Sequence, residues 1–184
     1  MLFSRSKIHD VIIIKPKIIL DERGYFFECF KKNALEEYLG QEINFIQENE
    51  SFSTKGVLRG LHYQLNPVSQ NKLVRVVHGS ILDVAVDLRK SSPTFGKHIT
   101  EELSDKNKVQ LFVPKGFAHG FVVLSENAVI SYKVDNYYSP SHERGILFND
   151  EELNIDWRVN EQNIIISKKD QKFPQLSNSN DLFI

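Results

Sequence analysis

The sequence predicts an all-β protein, an antiparallel β barrel or jelly roll with few short helices. Many short stretches either alternate apolar and polar residues or are rich in the β-branched and aromatic residues that strands favour. Turn residues such as Asn66, Pro67, Gly79 and Gly116 separate these stretches at the spacing typical of a sandwich or barrel. The chain has 184 residues, which fits one domain over 1–184 with a C-terminal tail. That tail is expected at 171–184.

The predicted strands follow one another with almost no helix between them. In chain order they are DVIIIKPKIIL (10–20), GYFFECF (24–30), INFIQENESFS (43–53), VLRGLHYQ (57–64), KLVRVVHG (72–79), SILDVAVDLR (80–89), HITEELS (98–104), KVQLFVP (108–114), HGFVVLSE (119–126) and AVISYKVDNYY (128–138). Pro16 confines the first stretch to a sheet edge or a bulge, because proline cannot donate a ladder hydrogen bond. One helix is predicted, with Asn33 as its N-cap, residues 34–39 as its body and Gly40 as its stop.

Composition excludes several classes of function. The formal net charge of −1 gives no general attraction for nucleic acid or for an anionic membrane. The apolar runs near the N-terminus are too short for a signal peptide or a membrane span. The single cysteine, Cys29, rules out an internal disulfide and fits a reducing compartment. We therefore expect a cytoplasmic protein with no nucleic-acid or membrane partner, in which local clusters of cations hold any anionic ligand.

Four potential cations stand among apolar residues at 57–76, namely Arg59, His62, Lys72 and Arg75. Residue parity then gives two interpretations of this region. Lys72 shares its strand face with valines, and Asp83 shares its own face with Ala85 and Asp87. Such faces can be a solvated outer surface. They can also line a ligand cavity, because the residues between the charges are small and apolar.

His62 is the candidate general base, because a neutral imidazole accepts protons near pH 7. It could equally be a structural histidine. Arg59 precedes it, and we expect Lys72 to lie across a hairpin from it. Strict alternation would put Arg59 and His62 on opposite faces, and a bulge at Gly60 would bring both inward. Gln64 stands where a metal site would offer a second histidine, so no metal is expected.

Six segments together resemble the dTDP-4-dehydrorhamnose 3,5-epimerase family of the cupin superfold. They are DERGYFFE (21–28), VLRGLHYQ (57–64), KLVRVVHG (72–79), DVAVDLRKSSPTFG (83–96), VPKGFAHGF (113–121) and YKVDNYYSPSHERGI (132–146). The resemblance covers nearly the whole chain. It implies a cupin-type jelly-roll homodimer in which the strands of residues 1–30 are exchanged with the partner. It also implies a metal-free, cofactor-free isomerase that converts dTDP-4-dehydro-6-deoxy-D-glucose to dTDP-4-dehydro-L-rhamnose, a precursor for surface polysaccharide.

The resemblance also implies roles for individual residues. His62 would be the proton acceptor, Tyr132 the proton donor and Asp170 the carboxylate that holds the imidazole. Lys72 would stand beside the enolate oxygen. Asp83 is a second candidate for holding His62, since parity would place it in the same cavity. The implied substrate-binding residues are Arg23, Phe26, Glu28, Gln47, Asn49, Arg59, His119, Tyr138, Glu143 and Lys168, with Tyr138 stacking on thymine.

Two other functions stay open at this stage. A mono-epimerase or a 3,4-ketoisomerase would share the barrel and the base, and the stereochemistry of the product would separate them from a 3,5-epimerase. A non-catalytic sugar-nucleotide binder would have no need of a base opposite an acid. The loop QENES (47–51) also departs from the expected QDNHS, because Glu50 replaces a histidine.

Overall fold

A computed structural model describes all 184 residues and confirms the all-β prediction. It contains 14 strands and one α-helix. Three short 3₁₀ segments occur at Glu161–Asn163, Asp170–Lys172 and Leu176–Asn178. The other elements are β1 Leu2–Arg5, β2 Ile12–Lys15, β3 Ile19–Asp21, β4 Gly24–Phe26, α1 Lys32–Leu39, β5 Gln47–Thr54, β6 Val57–Gln64, β7 Lys72–His78, β8 Ser80–Asp87, β9 His98–Ser104, β10 Gln110–Val113, β11 Phe117–Val123, β12 Asn127–Val134, β13 Glu143–Gly145 and β14 Ile165–Ile166.

Two antiparallel sheets pack against each other as a sandwich. The first sheet has the strand order β1-β2-β10-β7-β12-β5. The second has the order β13-β6-β11-β8-β9, and β14 joins it in parallel with β6. Strands β3 and β4 pair only with each other, as a hairpin outside both sheets. None of the helices has the length and apolar character needed to cross a membrane.

The main core lies between the two sheets. Val74 and Ile130 from the first sheet join Ala85 and Phe121 from the second in one buried cluster. Apolar residues on facing strands bury each other because period-2 alternation turns one side of each strand inward. Asp83 has the same parity as Ala85 and is fully buried. The solvated interpretation of this face is therefore wrong.

Two further clusters cover the outer faces of the sandwich. Leu35 of α1 packs against the first sheet. The C-terminal third packs against the second sheet through Ile146 and Trp157. The last residues belong to this layer, because Phe183 packs against the same cluster and the Tyr63 hydroxyl donates to the Asp181 carbonyl at 2.7 Å. The segment 171–184 is thus held against the second sheet.

Two local predictions are wrong. The helix begins at Lys32, so Asn33 lies inside it, and Lys31 is an N-cap without a side-chain hydrogen bond. The helix ends as predicted at Gly40, whose φ of 69° is left-handed, a conformation that glycine adopts without a steric penalty. The other error concerns β6 and β7, which form no hairpin because they belong to different sheets. Short strands at the start and end of the chain, β1, β13 and β14, carry too weak a pattern to be predicted.

Candidate active site

A cavity of about 540 Å³ opens between the two sheets. Polar groups from both sheets and from the C-terminal segment converge on it, amid apolar side chains from β6, β11, β12 and β14. Such a mixture of an apolar lining with a few convergent polar groups is typical of a ligand site. Its polar lining comprises Ser51, Arg59, His62, Lys72, His119, Tyr132, Tyr138, Glu143, Ser167, Lys169 and Asp170. An adjoining pocket of about 210 Å³ shares five of these residues and adds Gln47 and Asn49.

A bulge in β6 brings Arg59 and His62 into the same cavity. In the pairing of β6 with β11, Arg59 faces Phe121 and His62 faces His119, so β6 has one residue more than β11 between these two pairs. Gly60 lies in the bulge with a φ of 132°. A Cβ atom at Gly60 would lie 2.6 Å from the Cα of Gly120, so only glycine fits this close approach of two backbones. The predicted bulge is confirmed.

His62 is paired with a carboxylate from the far end of the chain. Its Nε2 lies 3.0 Å from Oδ1 of Asp170, and Oδ2 of Asp170 accepts from the Gly60 N–H at 3.3 Å. With Nε2–H donating to Asp170, Nδ1 keeps the lone pair that can accept a proton. Burial acts to raise the pKa of Asp170, but the hydrogen bond and charge of His62, together with hydrogen bonds from Gly60 and Ser167, outweigh it and the pKa is lowered. Asp170 therefore stays ionised and fixes the imidazole.

Phe173 packs on the same imidazole. Its ring meets the ring of His62 edge to face, with the two centroids 5.5 Å apart. Room for this ring depends on Gly145 of β13, because a Cβ atom there would overlap Phe173. His62 is thus held by a carboxylate on one side and by an aromatic ring on another.

Tyr132 approaches the cavity from the first sheet. It lies on β12 directly opposite Asn49 of β5. Burial raises the pKa of Tyr132, and the positive charge of Arg59 partly offsets this effect. The phenol therefore keeps its proton at neutral pH. His62 comes from the second sheet, so an imidazole and a phenol stand on opposite walls of one cavity.

Lys72 is buried beside this pair. Its Nζ donates to the backbone carbonyl of His62 at 3.4 Å. Burial lowers the pKa of Lys72 to about 8, and the charges of Asp83 and Glu143 limit the fall. The lysine is thus still mainly an ammonium at neutral pH, although it is buried.

His119 and Asp83 form a second buried histidine–carboxylate pair. Nε2 of His119 lies 2.8 Å from Oδ1 of Asp83. Asp83 therefore contacts His119, whereas Asp170 contacts His62, and the two imidazoles are register partners on neighbouring strands. No group of three or more His, Cys, Asp or Glu side chains comes close enough together to hold a metal ion.

A polar rim borders the cavity. The Tyr138 hydroxyl donates to Oε2 of Glu143 at 2.6 Å, and Lys169 forms an ion pair with the same carboxylate. Burial acts to raise the pKa of Glu143, but the hydrogen bonds from Lys169 and Tyr138 lower it. Tyr138 is 53% exposed, so its ring is available to stack on a flat ligand. Gln47 joins the rim through its Oε1, which accepts from the Tyr138 N–H at 3.3 Å.

Alternation along β5 turns some residues of QENES (47–51) towards the site and the others away from it. Gln47 donates through Nε2 to Oδ1 of Asn49 at 2.8 Å, and both line the adjoining pocket. Glu48 points the other way, where it bonds to Ser131 at 2.7 Å. Glu50 has the parity of Glu48 and is exposed. The replacement of the expected histidine by Glu50 therefore lies outside the cavity.

Four of the residues implied by the resemblance do not line the cavity of this chain. Arg23 pairs with Asp21 and is 85% exposed, and Phe26 is 65% exposed. Both belong to the β3–β4 hairpin. Glu28 forms a surface ion pair with a lysine at 3.5 Å. Lys168 is exposed, whereas the next residue, Lys169, lines the cavity.

Several cavity residues were not predicted from the sequence, among them Lys169, Ser51 and Phe121. Lys169 follows Lys168 directly in ISKKDQ, and no periodic pattern indicates which of the two points inward. Ser51 was detectable, because it shares its parity with Gln47 and Asn49 on β5. Phe121 lies on a wholly buried strand, where every position looks like core.

Comparison with known proteins identifies the family. A family model described as dTDP-4-dehydrorhamnose 3,5-epimerase matches residues 5–178. A protein of that name from Shigella flexneri is 55% identical over 172 residues, which cover 92% of this chain and 94% of the relative. The crystal structure of a dTDP-4-dehydrorhamnose 3,5-epimerase from Elizabethkingia anophelis is 49% identical and superposes with a TM-score of 0.94, covering 98% of each chain.

A second solved structure carries a bound ligand. The dTDP-6-deoxy-D-glucose-3,5-epimerase from Legionella pneumophila, in complex with dTDP-4-keto-L-rhamnose, is 47% identical with a TM-score of 0.92. The alignment covers 96% of this chain and 93% of the Legionella chain. The match extends over nearly the entire fold, including every strand that lines the cavity. The protein therefore belongs to the dTDP-4-dehydrorhamnose 3,5-epimerase family.

Proposed function

We propose that the protein is an isomerase that inverts C3 and C5 of dTDP-4-dehydro-6-deoxy-α-D-glucose, giving dTDP-4-dehydro-β-L-rhamnose for surface polysaccharide synthesis. The observation that carries the proposal is the placement of His62 and Tyr132 on opposite walls of one cavity, with Asp170 behind the imidazole. The family match and the ligand of the Legionella relative support the choice of substrate.

The chemistry requires one base and one acid on opposite faces of the sugar ring. The C4 ketone acidifies the protons on C3 and C5, because either carbanion delocalises onto the C4 oxygen. His62 removes a proton from one carbon through Nδ1 and becomes an imidazolium that Asp170 stabilises. Tyr132 returns a proton to the opposite face, which inverts the centre. Proton exchange with water then returns His62 and Tyr132 to their neutral forms. The same steps at the second carbon complete the reaction, and no electrons are gained or lost.

Lys72 supplies the positive charge that the intermediate needs. The enolate places negative charge on the C4 oxygen, and a buried ammonium stabilises this charge more strongly than water would. Loss of one such donor typically costs roughly 3–4 kcal/mol of transition-state stabilisation. Because Lys72 has a pKa of about 8, it carries that charge at neutral pH.

The nucleotide end of the substrate is assigned to the polar rim and to the cavity arginine. Tyr138 would stack on thymine, and Gln47, Asn49 and Lys169 would bind around it. Arg59 would meet the diphosphate, since a guanidinium binds phosphate oxygens in a bidentate manner. Its Nε already donates to Oγ of Ser53 at 3.0 Å, which orients it at the cavity wall.

We propose that Arg23, Phe26 and Glu28 complete the site of a partner subunit in a homodimer. The β3–β4 hairpin exposes large apolar side chains, with Leu20 77% and Tyr25 58% exposed. Apolar patches of this kind mark interaction surfaces. Both edges of β2 are filled within its own chain by β1 and β10, whereas the hairpin pairs with neither sheet. A sedimentation experiment that finds only monomer at micromolar concentration would contradict the dimer.

The catalytic assignment is tested with His62→Ala. The variant should fold normally and lose roughly 10²–10⁴-fold in rate, the contribution of a positioned base. The reaction is followed by NMR in heavy water, where deuterium enters C3 and C5 of the sugar. His78→Ala is the matched control, because His78 is exposed on β7 outside the cavity. Incorporation by His62→Ala at the rate of the control would reject the assignment.

Tyr132→Phe tests the acid separately. Without the phenol, His62 still removes protons, so deuterium should enter the substrate with little net inversion. The same spectra distinguish the alternatives, since a mono-epimerase would label and invert one carbon only. A non-catalytic binder would label neither carbon.

The proposed compartment is the cytoplasm. Support comes from the single free cysteine, Cys29, which is compatible with reducing conditions.

A further inference from the structure

Asp83 is a buried carboxylate that the proposed mechanism does not use. It is fully buried on β8, and Oδ1 is bound to His119 at 2.8 Å. Oδ2 is buried without any hydrogen-bond partner. Its register partner on β9 is Glu101, a second acidic side chain. A carboxylate in such a place is costly unless a cation balances it.

Lys72 is the cation that meets this need from the other sheet. It is buried with only 9% of its surface exposed, and its Nζ makes one hydrogen bond, to the His62 carbonyl. The two anions that act on it are Asp83 and Glu143. Glu143 is already engaged by Lys169 and Tyr138, whereas Oδ2 of Asp83 has no other partner.

We propose that Asp83 is a positioning residue that orients His119 through a direct hydrogen bond and supplies Lys72 with a buried countercharge. Three strands contribute to this group, with Lys72 on β7 of the first sheet and Asp83 and His119 on β8 and β11 of the second. Asp83 does not touch the reacting atoms. It acts by keeping Lys72 charged and His119 oriented.

Other charged groups also face Lys72 and influence its protonation together with Asp83. Those that share its cavity are Arg59, His62, His119, Glu143, Lys169 and Asp170. The phenols of Tyr132 and Tyr138 face it as neutral groups. Its register partners on the neighbouring strands, Val113 and Val134, carry no charge. With both imidazoles neutral, these groups comprise two cations, Arg59 and Lys169, and two anions, Glu143 and Asp170. Removal of Asp83 therefore takes away one of the anions that favour the charged form of Lys72.

Asp83→Asn tests the proposal through the pH dependence of the reaction, which rests on the proposed function. Asparagine keeps the size of the side chain and an oxygen for His119, but it loses the charge. When the charge of Asp83 is absent, burial lowers the pKa of Lys72 further. The alkaline limb of the plot of kcat against pH should therefore shift by about one unit towards lower pH. Substrate KM should change little. Asp83→Glu, which keeps the charge, should leave the limb in place. A lower kcat with an unmoved limb would overturn the proposal.

A second measurement needs no activity and so remains valid if the proposed function fails. Urea unfolding is compared for Asp83→Asn, Lys72→Met and the double variant. If the two charges balance each other, each single variant leaves one buried charge without its partner and lowers the urea midpoint of unfolding. The double variant should then lose less in its urea midpoint than the two single losses added together. Recovery of folding in the double variant would support the proposal even if Asp83→Asn alone does not fold. Additive shifts, or a double variant no better than Asp83→Asn, would overturn it.

Discussion

Replacing Asp170 with asparagine isolates the contribution of the carboxylate that orients the base. The carboxylate makes two contacts through its side chain, with Nε2 of His62 at 3.0 Å and with the Gly60 N–H at 3.3 Å. Asparagine can keep an oxygen on the Gly60 N–H. It then presents an amide NH₂ to Nε2, which favours the imidazole tautomer with the proton on Nδ1. That tautomer cannot accept a proton through Nδ1.

The size of the effect follows from the bond that is lost. A hydrogen bond to a charged group contributes roughly 1.5–3 kcal/mol. Since about 1.4 kcal/mol changes a rate tenfold, kcat should fall roughly 10- to 150-fold. The fall in kcat cannot exceed the full contribution of the base, which is about 10²–10⁴-fold. KM should change little, because both carboxylate oxygens of Asp170 are engaged by His62 and Gly60.

The assay is the entry of deuterium at C3 and C5 in heavy water, together with the rate of product formation. Asp105→Asn is a matched control, because Asp105 pairs with His78 at 3.4 Å outside the cavity. Circular dichroism establishes that both variants are folded. An Asp170→Asn enzyme within about threefold of the control would refute the argument that Asp170 orients the base.

Three further outcomes are expected. Lys72 has a pKa of about 8, so kcat should fall as pH rises through about 8 and the ammonium loses its proton; a profile that stays flat well above that pH contradicts this role. Gly145→Ala should displace Phe173 from His62 and lower kcat more than KM, measured by steady-state kinetics; unchanged kinetics would show that the ring is dispensable. Burial acts to raise the pKa of Asp87, but hydrogen bonds from Arg89 and two hydroxyl groups lower it to about 2. Because folding lowers this pKa, the ionised carboxylate adds roughly 2 kcal/mol to the free energy of unfolding at neutral pH. This contribution disappears as pH falls from about 4 towards 2. Urea unfolding of Asp87→Asn should show a deficit of that size at pH 7 that shrinks in acid, and a deficit independent of pH would contradict the linkage.

Local chain chemistry made much of the site predictable. Gly60 between Arg59 and Leu61 indicated a bulge, because glycine is the residue that tolerates the required backbone and close approach. Strand parity placed Lys72 and Asp83 on inward faces, since alternation is fixed by the pleat. These inferences depend on residues that are near one another in the sequence.

Contacts between distant segments could not be predicted from pattern alone. Asp170 reaches His62 across 108 positions, and parity left Asp83 as a competing candidate. Only the folded structure shows that Asp83 is bound to His119. The predicted hairpin failed for the same reason, because the link from β6 to β7 crosses between sheets. A turn signal such as Asn66-Pro67 marks where a chain reverses and does not specify which strand it will pair with.

The late position of Asp170 has a consequence for how the enzyme comes into being. Both sheets, except for the two residues of β14, are encoded before residue 150, yet the carboxylate that orients the base is residue 170 of 184. During synthesis the two sheets can assemble before the active site is complete. The site is completed only when the segment that carries Asp170 docks against β6. A shortened chain ending near residue 164 would accordingly keep every strand except β14 but lack Asp170, the residue proposed to orient the base.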